Sequence, residues 1–241
     1  MKRYYLNEIF SYIGNALSNS EKEYIRNNIP IITNDAESQN LKKDSDIRLM
    51  PDDIIQAAEK YSVNLLKKVS MSLRGYVDNN CEVLAKHYYY QNEINLFYRH
   101  RDEGCLENAI YSCLRQIAIS EFALEEFRTR KDEIQEQISN TEKRNKDLLQ
   151  LIDGNDNGSV LMKELYEQNK ARINELRNFI PPNLQDFSGP LHYGYKQLCI
   201  ILEKQGKYEE ALNYSRKALA EHWGGNWHKR IEKLKKKIKK D

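Results

Sequence analysis

The segment whose spacing carries the most chemistry is Asp153-Gly154-Asn155-Asp156-Asn157-Gly158-Ser159-Val160-Leu161-Met162-Lys163-Glu164. It follows the calcium-loop pattern D-x-[DN]-x-[DN]-G-x5-E, with an apolar residue two places after the glycine. In that reading Asp153, Asn155 and Asn157 supply side-chain oxygens, Ser159 a backbone carbonyl and Glu164 a bidentate carboxylate. Asp153 and Glu164 are the only charged ligands, Leu161 stands where a ligand often binds through water, and no second loop is there to pair with it. Any calcium binding is therefore expected to be weak. A Gly- and Asn-rich connector is also what two helices need to reverse direction. The plain hairpin turn is the preferred reading, and no cofactor is expected.

Catalysis finds little support in the remaining residues. His87, His100, His192, His222 and His228 are scattered and lack a metal-ligand spacing such as H-x3-H. The glycines form no phosphate loop, and no cysteine stands in a nucleophile motif. His100 with Asp102 and Glu103 could be drawn as an acid–base group, but a lone histidine at a helix end reads as structural. The chain is expected not to be an enzyme, the alternative being a small enzyme whose site converges only in three dimensions. Cys81, Cys105, Cys113 and Cys199 form no C-x-x-C pair and lie in helical patterns, which fits reduced, buried thiols.

The elements that must position any such residue are helices. With only 10 Gly and 5 Pro in 241 residues, and 31% charged residues against 40% apolar, the composition points to an all-α fold with a real core. Tyr5, Ile9, Tyr12, Ile13 and Leu17 recur at helical spacing, and Ser20 before Glu21 and Glu23 predicts the N-cap of a second short helix ending near Pro30. Residues 33–50 are polar and aperiodic and read as a loop. Pro51-Asp52-Asp53 opens a helix with its acids at the positive end, followed by one apolar stripe through Ile54, Ile55, Ala58, Tyr61, Leu65, Leu66, Val69 and Leu73. Residues 80–100 form a third block. Residues 121–152 and 159–179 read as two long helices around a short loop. Their thin stripes are Phe127, Ile134, Ile138, Leu148, Leu149 and Ile152, and Val160, Leu161, Leu165, Ile173, Leu176 and Ile180.

Two segments resemble each other: Asn95–Ser120 and Gln197–His222. Aligning Gly104 with Gly206 also aligns Leu106 with Tyr208, Glu107 with Glu209, Ala109 with Ala211 and Ile110 with Leu212. The offset is about three 34-residue repeats. The second segment resembles a tetratricopeptide repeat. Tyr195, Leu198, Gly206, Tyr208, Ala211 and Ala218 stand where that repeat wants a large residue, Leu, the inter-helix Gly, an aromatic and two small residues. The first is a degenerate copy with Gln116 in place of the later Ala. The resemblance covers about a quarter of the chain.

The resemblance implies a tetratricopeptide-like helical repeat body. In that family the first helix of each repeat lines an inner groove. Here that helix would offer Gln91, Asn95, Tyr98 and Arg101 from the first repeat, and Tyr193, Lys196, Ile200 and Lys204 from the second. Such a polar, aromatic and basic surface suits an extended or acidic peptide. The subclass that grips a terminal carboxylate follows Lys with Asn four residues later. Here Ile200 follows Lys196, so that subclass is not supported.

The expected organisation is then an N-terminal helical region and polar loop over 1–50 and a helical region with the first repeat over 51–127. An inserted long antiparallel hairpin arm follows over 128–180, and the second repeat with a capping helix over 181–241. The near-neutral charge of +2 conceals a basic end. From His228 to Asp241 there are eight Lys or Arg and two acids, a local charge of +6, while 30 basic and 34 acidic residues elsewhere leave −4. A cap is the preferred reading of that end, with nucleic-acid contact as the sharper alternative. The N-terminus has no convincing signal peptide, and no run approaches the ~18 apolar residues of a membrane span. The expected protein is cytoplasmic, with the Asn-, Lys-, Ile- and Tyr-rich composition of an AT-rich bacterium or phage. It binds a protein or peptide partner, pairs with a second copy through the 128–180 arm if it self-associates, and has no membrane partner.

Overall fold

The computed structural model describes residues 3–29, 48–153, 160–178 and 189–239. Among them the fold is all-α, with four strands of two or three residues. Strand β1 (Tyr4–Tyr5) leads into α1 (Leu6–Ile13), a 3-10 turn (Gly14–Ala16) and α2 (Asn19–Asn28), and pairs antiparallel with β2 (Arg48–Leu49). Leu6, Ile9, Phe10 and Ile13 face the core, whereas Tyr12 is half exposed. The cap of α2 is Ser18, not Ser20. Ser20 already lies inside the helix, whereas Ser18 is extended just before it and closes a capping box: its hydroxyl accepts from Glu21 N (3.2 Å) while Glu21 Oε2 accepts from Ser18 N (2.6 Å).

The stripe expected to run unbroken from Ile54 to Leu73 belongs to two helices, α3 (Pro51–Tyr61) and α4 (Val63–Asn80). Ser62 between them is extended, and its hydroxyl accepts from Leu65 N (3.0 Å) as the cap of α4. Helix α5 (Val83–Arg99) follows, then a 3-10 turn (Arg101–Glu103) and α6 (Leu106–Ala118). A buried polar knot ties α4, α5 and α6 together. The Glu93 carboxylate accepts from Ser70 Oγ, from Tyr89 OH (2.8 Å) and from Ser112 Oγ (2.7 Å), with Arg74 Nε at 3.3 Å. A fully buried carboxylate persists only when its lone pairs are filled in this way.

Helix α7 (Ser120–Asp153) and α8 (Val160–Asn178) come next. After them β3 (Gly189–Leu191) pairs with β4 (Trp223–Gly224), and α9 (Tyr193–Lys204), α10 (Tyr208–Ala220) and α11 (Trp227–Ile238) complete the chain. The chain divides into two compact units, residues 1–123 with 190–241, and residues 124–189.

In the first unit α5 packs on α6, α6 on α9, α9 on α10 and α10 on α11, so two helix pairs far apart in sequence are neighbours in space. Gly104 and Gly206 occupy equivalent turns, at φ 74° and φ 75°. That left-handed backbone suits glycine. Ala109, Ala211 and Ala218 are fully buried, small enough for the helices to approach closely. Gln116 is also fully buried. Its amide donates to His87 O (2.9 Å) and accepts from Gly194 N (2.6 Å), which ties α6 to the second turn of α5 and to the first turn of α9. Behind it His87, His192 and Trp223 form an aromatic cluster: His87 stacks on Trp223 at 5.7 Å and 10°, and His192 lies edge-on to it at 4.6 Å.

In the second unit α7 and α8 run antiparallel, with Asn169 Nδ2 donating to Asn145 Oδ1 (2.9 Å) and Arg177 to Glu142 (2.6 Å). The less exposed positions of α8 are Met162, Tyr166, Asn169, Ile173 and Leu176, spaced four and three apart. On α7, Ile134, Ile138, Thr141, Asn145, Leu148 and Ile152 follow the same heptad spacing. Leu149, Val160, Leu161 and Leu165, expected in the stripes, lie off this seam and are exposed. No described helix is long and apolar enough to cross a membrane.

Candidate binding cleft

A cleft of about 510 Å³ opens in the first unit where α3, α5 and the start of α9 meet. Helix α5 contributes Asn92, Asn95, Leu96, Tyr98 and Arg99, α3 contributes Gln56, Glu59 and Lys60, and α9 contributes Tyr193. Three of the residues expected in a groove, Asn95, Tyr98 and Tyr193, are thereby brought together from both helix pairs. Arg101 and Lys204 stand beside the cleft through Tyr98. Lys204 Nζ donates to its hydroxyl (2.9 Å), and the Arg101 guanidinium lies 5.0 Å from its ring centre. Lys196 stacks on Tyr193 at 5.8 Å. Gln91 and Ile200 are half-buried and do not line the cleft.

The α3 wall was missed because its three residues precede both repeats. Their signal is a polar face, Gln56, Glu59 and Lys60, on the side of α3 away from buried Ile54, Ile55 and Ala58. The wall is held in place at both ends. Asn92 Nδ2 donates to Asp52 Oδ2 (2.5 Å), and the Glu59 carboxylate is shared by Arg99 Nη1 (2.7 Å) and His100 Nε2 (3.0 Å). His100 Nδ1 meets Glu103 at 2.6 Å, not Asp102. The hydrogen bond to Glu103 is the main reason the imidazole's pKa is raised above its ordinary value, and burial of Asp52 raises its carboxyl. Because each ring nitrogen faces a carboxylate, protonation of the imidazole strengthens both contacts. The lining of carboxamides, phenol rings, two cations and the Glu59 carboxylate is equipped to exchange hydrogen bonds and stack.

Of the expected calcium ligands, Asn155, Asn157 and Ser159 lie outside the described residues. Asp153 ends α7, and Glu164 is exposed on α8. Among the described residues no three His, Cys, Asp or Glu side chains converge as a metal site. The four cysteines are buried and free, and burial pushes the thiols up, Cys81 to about 11. No protein-family model, no curated protein and no solved structure matches the chain.

Proposed function

We propose that the chain is a non-catalytic interaction protein that binds an extended peptide segment, of a partner protein or free, in the cleft between α3, α5 and α9. The observation that carries this reading is the cleft's lining. Gln56 and Asn95 each offer a donor pair and an acceptor on one side chain, the pattern that a peptide main chain presents in return. Tyr98 and Tyr193 supply flat contact area at small entropic cost, and with Arg99 held by Glu59, Lys60 is the lining cation that favours an acidic group on the ligand. The tetratricopeptide resemblance of the two helix pairs supports the same reading, in which the protein is a cytoplasmic regulatory factor. Self-association through the 124–189 unit belongs to the same reading, supported by exposed Leu149, Leu151, Val160, Leu161 and Leu165 near its distal end.

The test is selection of peptides on the full chain from a displayed random library, followed by titration against Asn95→Ala and Tyr193→Ala. Loss of one such hydrogen bond or ring is expected to weaken binding about tenfold. Peptides that bind the double variant as tightly as the wild type would refute the cleft as the working site. Light-scattering mass of the chain with Leu161→Glu and Leu165→Glu tests the self-association, which an unchanged oligomer would place elsewhere.

A further inference from the structure

Helix α11 closes the α9–α10 pair with Trp227, Ile231 and Leu234, all buried. Capping a helical stack requires a polar outer face but not a charge of one sign. The cations of α11 fall into two sets. Arg230, Lys233 and Lys237 lie along one flank and converge on a single carboxylate, Glu203 of α9, at 3.2, 3.1 and 3.7 Å. That set is engaged within the fold. Lys229, Lys236 and Lys239 are exposed and make no ion pair among the described residues; the spacing of seven sets Lys229 and Lys236 opposite the apolar face, and Lys239 follows at the helix C-cap on the adjoining flank. The acid on the helix surface, Glu232, is taken by Lys235 at 2.8 Å, and its carboxyl is held below its ordinary value, chiefly by that lysine and further by Lys236 and Lys239.

We propose that the outward row Lys229, Lys236 and Lys239 is a contact for the phosphate backbone of double-stranded nucleic acid, independent of base sequence. Ammonium groups set along the outer side of α11 and its C-cap meet successive phosphates and carry nothing that reads a base edge. A membrane surface fits less well, because the apolar face an interfacial helix inserts is already buried here. A folded acidic partner would need an aromatic or arginine anchor, and the row has none.

The experiment is fluorescence anisotropy of a labelled 20-base-pair duplex with the full chain, from 50 to 200 mM salt. Three phosphate contacts predict a log–log slope of about −3, a fall of about 40-fold across that range. In Lys229→Ala/Lys236→Ala/Lys239→Ala, which leaves the capping face intact, duplex binding is expected to lose that salt dependence with helicity unchanged. Lys143→Ala/Lys146→Ala/Lys163→Ala removes the same charge from the other unit and is expected to bind as the wild type. Equal loss in both variants would reduce the effect to net charge and overturn the assignment, as would no binding at 50 mM salt. Anionic vesicles or polyglutamate bound as tightly as the duplex would also overturn it.

Discussion

Gln116 shows how a residue can depart from a repeat pattern and gain a task by doing so. The pattern wants Ala there, and a longer side chain looks like decay. Its carboxamide oxygen instead accepts from Gly194 N, a first-turn donor of α9 that has no partner within its own helix, while its amide adds a second bond to the helical carbonyl of His87. Gln116→Leu keeps the volume and strands the buried Gly194 N–H, so we expect a loss of about 1–3 kcal/mol in urea unfolding, whereas an exposed Gln205→Leu control should cost little. At Gly194 a Cβ would stand 2.8 Å from Gln116 Oε1 and 3.0 Å from Cys113 O, so Gly194→Ala must push α9 off α6 and is expected to cost a similar amount. The neighbouring imidazoles give a pH dependence of definite sign. Burial lowers His87 to about 4 and His192 to about 2. As pH falls below the ordinary ~6.5, the unfolded chain takes up protons that the folded one refuses, so stability is lost toward acid, by up to about 1.4 kcal/mol per pH unit for each ring. Denaturation at pH 7, 6 and 5, above most carboxylate titration, should show the fall. His87→Phe keeps a ring against Trp223 and should halve it, whereas stability that is flat over that range would contradict the assignment.

At the scale of the element, apolar spacing revealed most helices, because each buries one face and its period survives in the sequence. It did not reveal the break at Ser62. One extended residue shifts the phase of a 3.6-residue stripe too little to see, and what ends α3 is the local choice of the Ser62 hydroxyl to cap α4. Ser62→Ala should therefore cost about 1 kcal/mol, read as a shift in the urea midpoint. Spacing also placed Leu149, Leu161 and Leu165 in the stripes of the second unit, since a sequence stripe wide enough for several leucines does not say which of them meet the opposing helix. The seam runs instead through Asn145 and Asn169, whose side-chain hydrogen bond fixes one register at a cost in stability. Asn145→Leu/Asn169→Leu is expected to raise the denaturation midpoint of that unit, and a lowered midpoint would mean that the asparagines stabilise as well as specify.

For the molecule as a whole, the repeat pair made Asn95, Tyr98 and Tyr193 of the cleft legible but not the α3 wall, because that wall reaches α5 across about 40 residues of sequence and is fixed by single contacts such as Asp52–Asn92 and Glu59–Arg99. The division into two units has a measurable consequence. The first holds nearly all of the buried side chains, whereas among the described residues of the second only Leu124, Asn145 and Ile173 bury a side chain. With so little apolar surface removed from water, a two-helix unit gains little beyond its own helix propensity. It should open at lower denaturant than the first. Both tryptophans of the chain, Trp223 and Trp227, lie in the first unit, while the long helices of the second contribute heavily to the far-ultraviolet dichroism. Urea titration should accordingly give two non-coincident curves, with dichroism falling before tryptophan fluorescence, as two-state behaviour forbids. Replacing residues 124–189 with a short flexible linker should remove the early dichroic phase and leave the fluorescence transition where it was. If the two probes coincide in the intact chain, or if the fluorescence midpoint drops in the shortened one, the units fold as one and the second is part of what holds the cleft together.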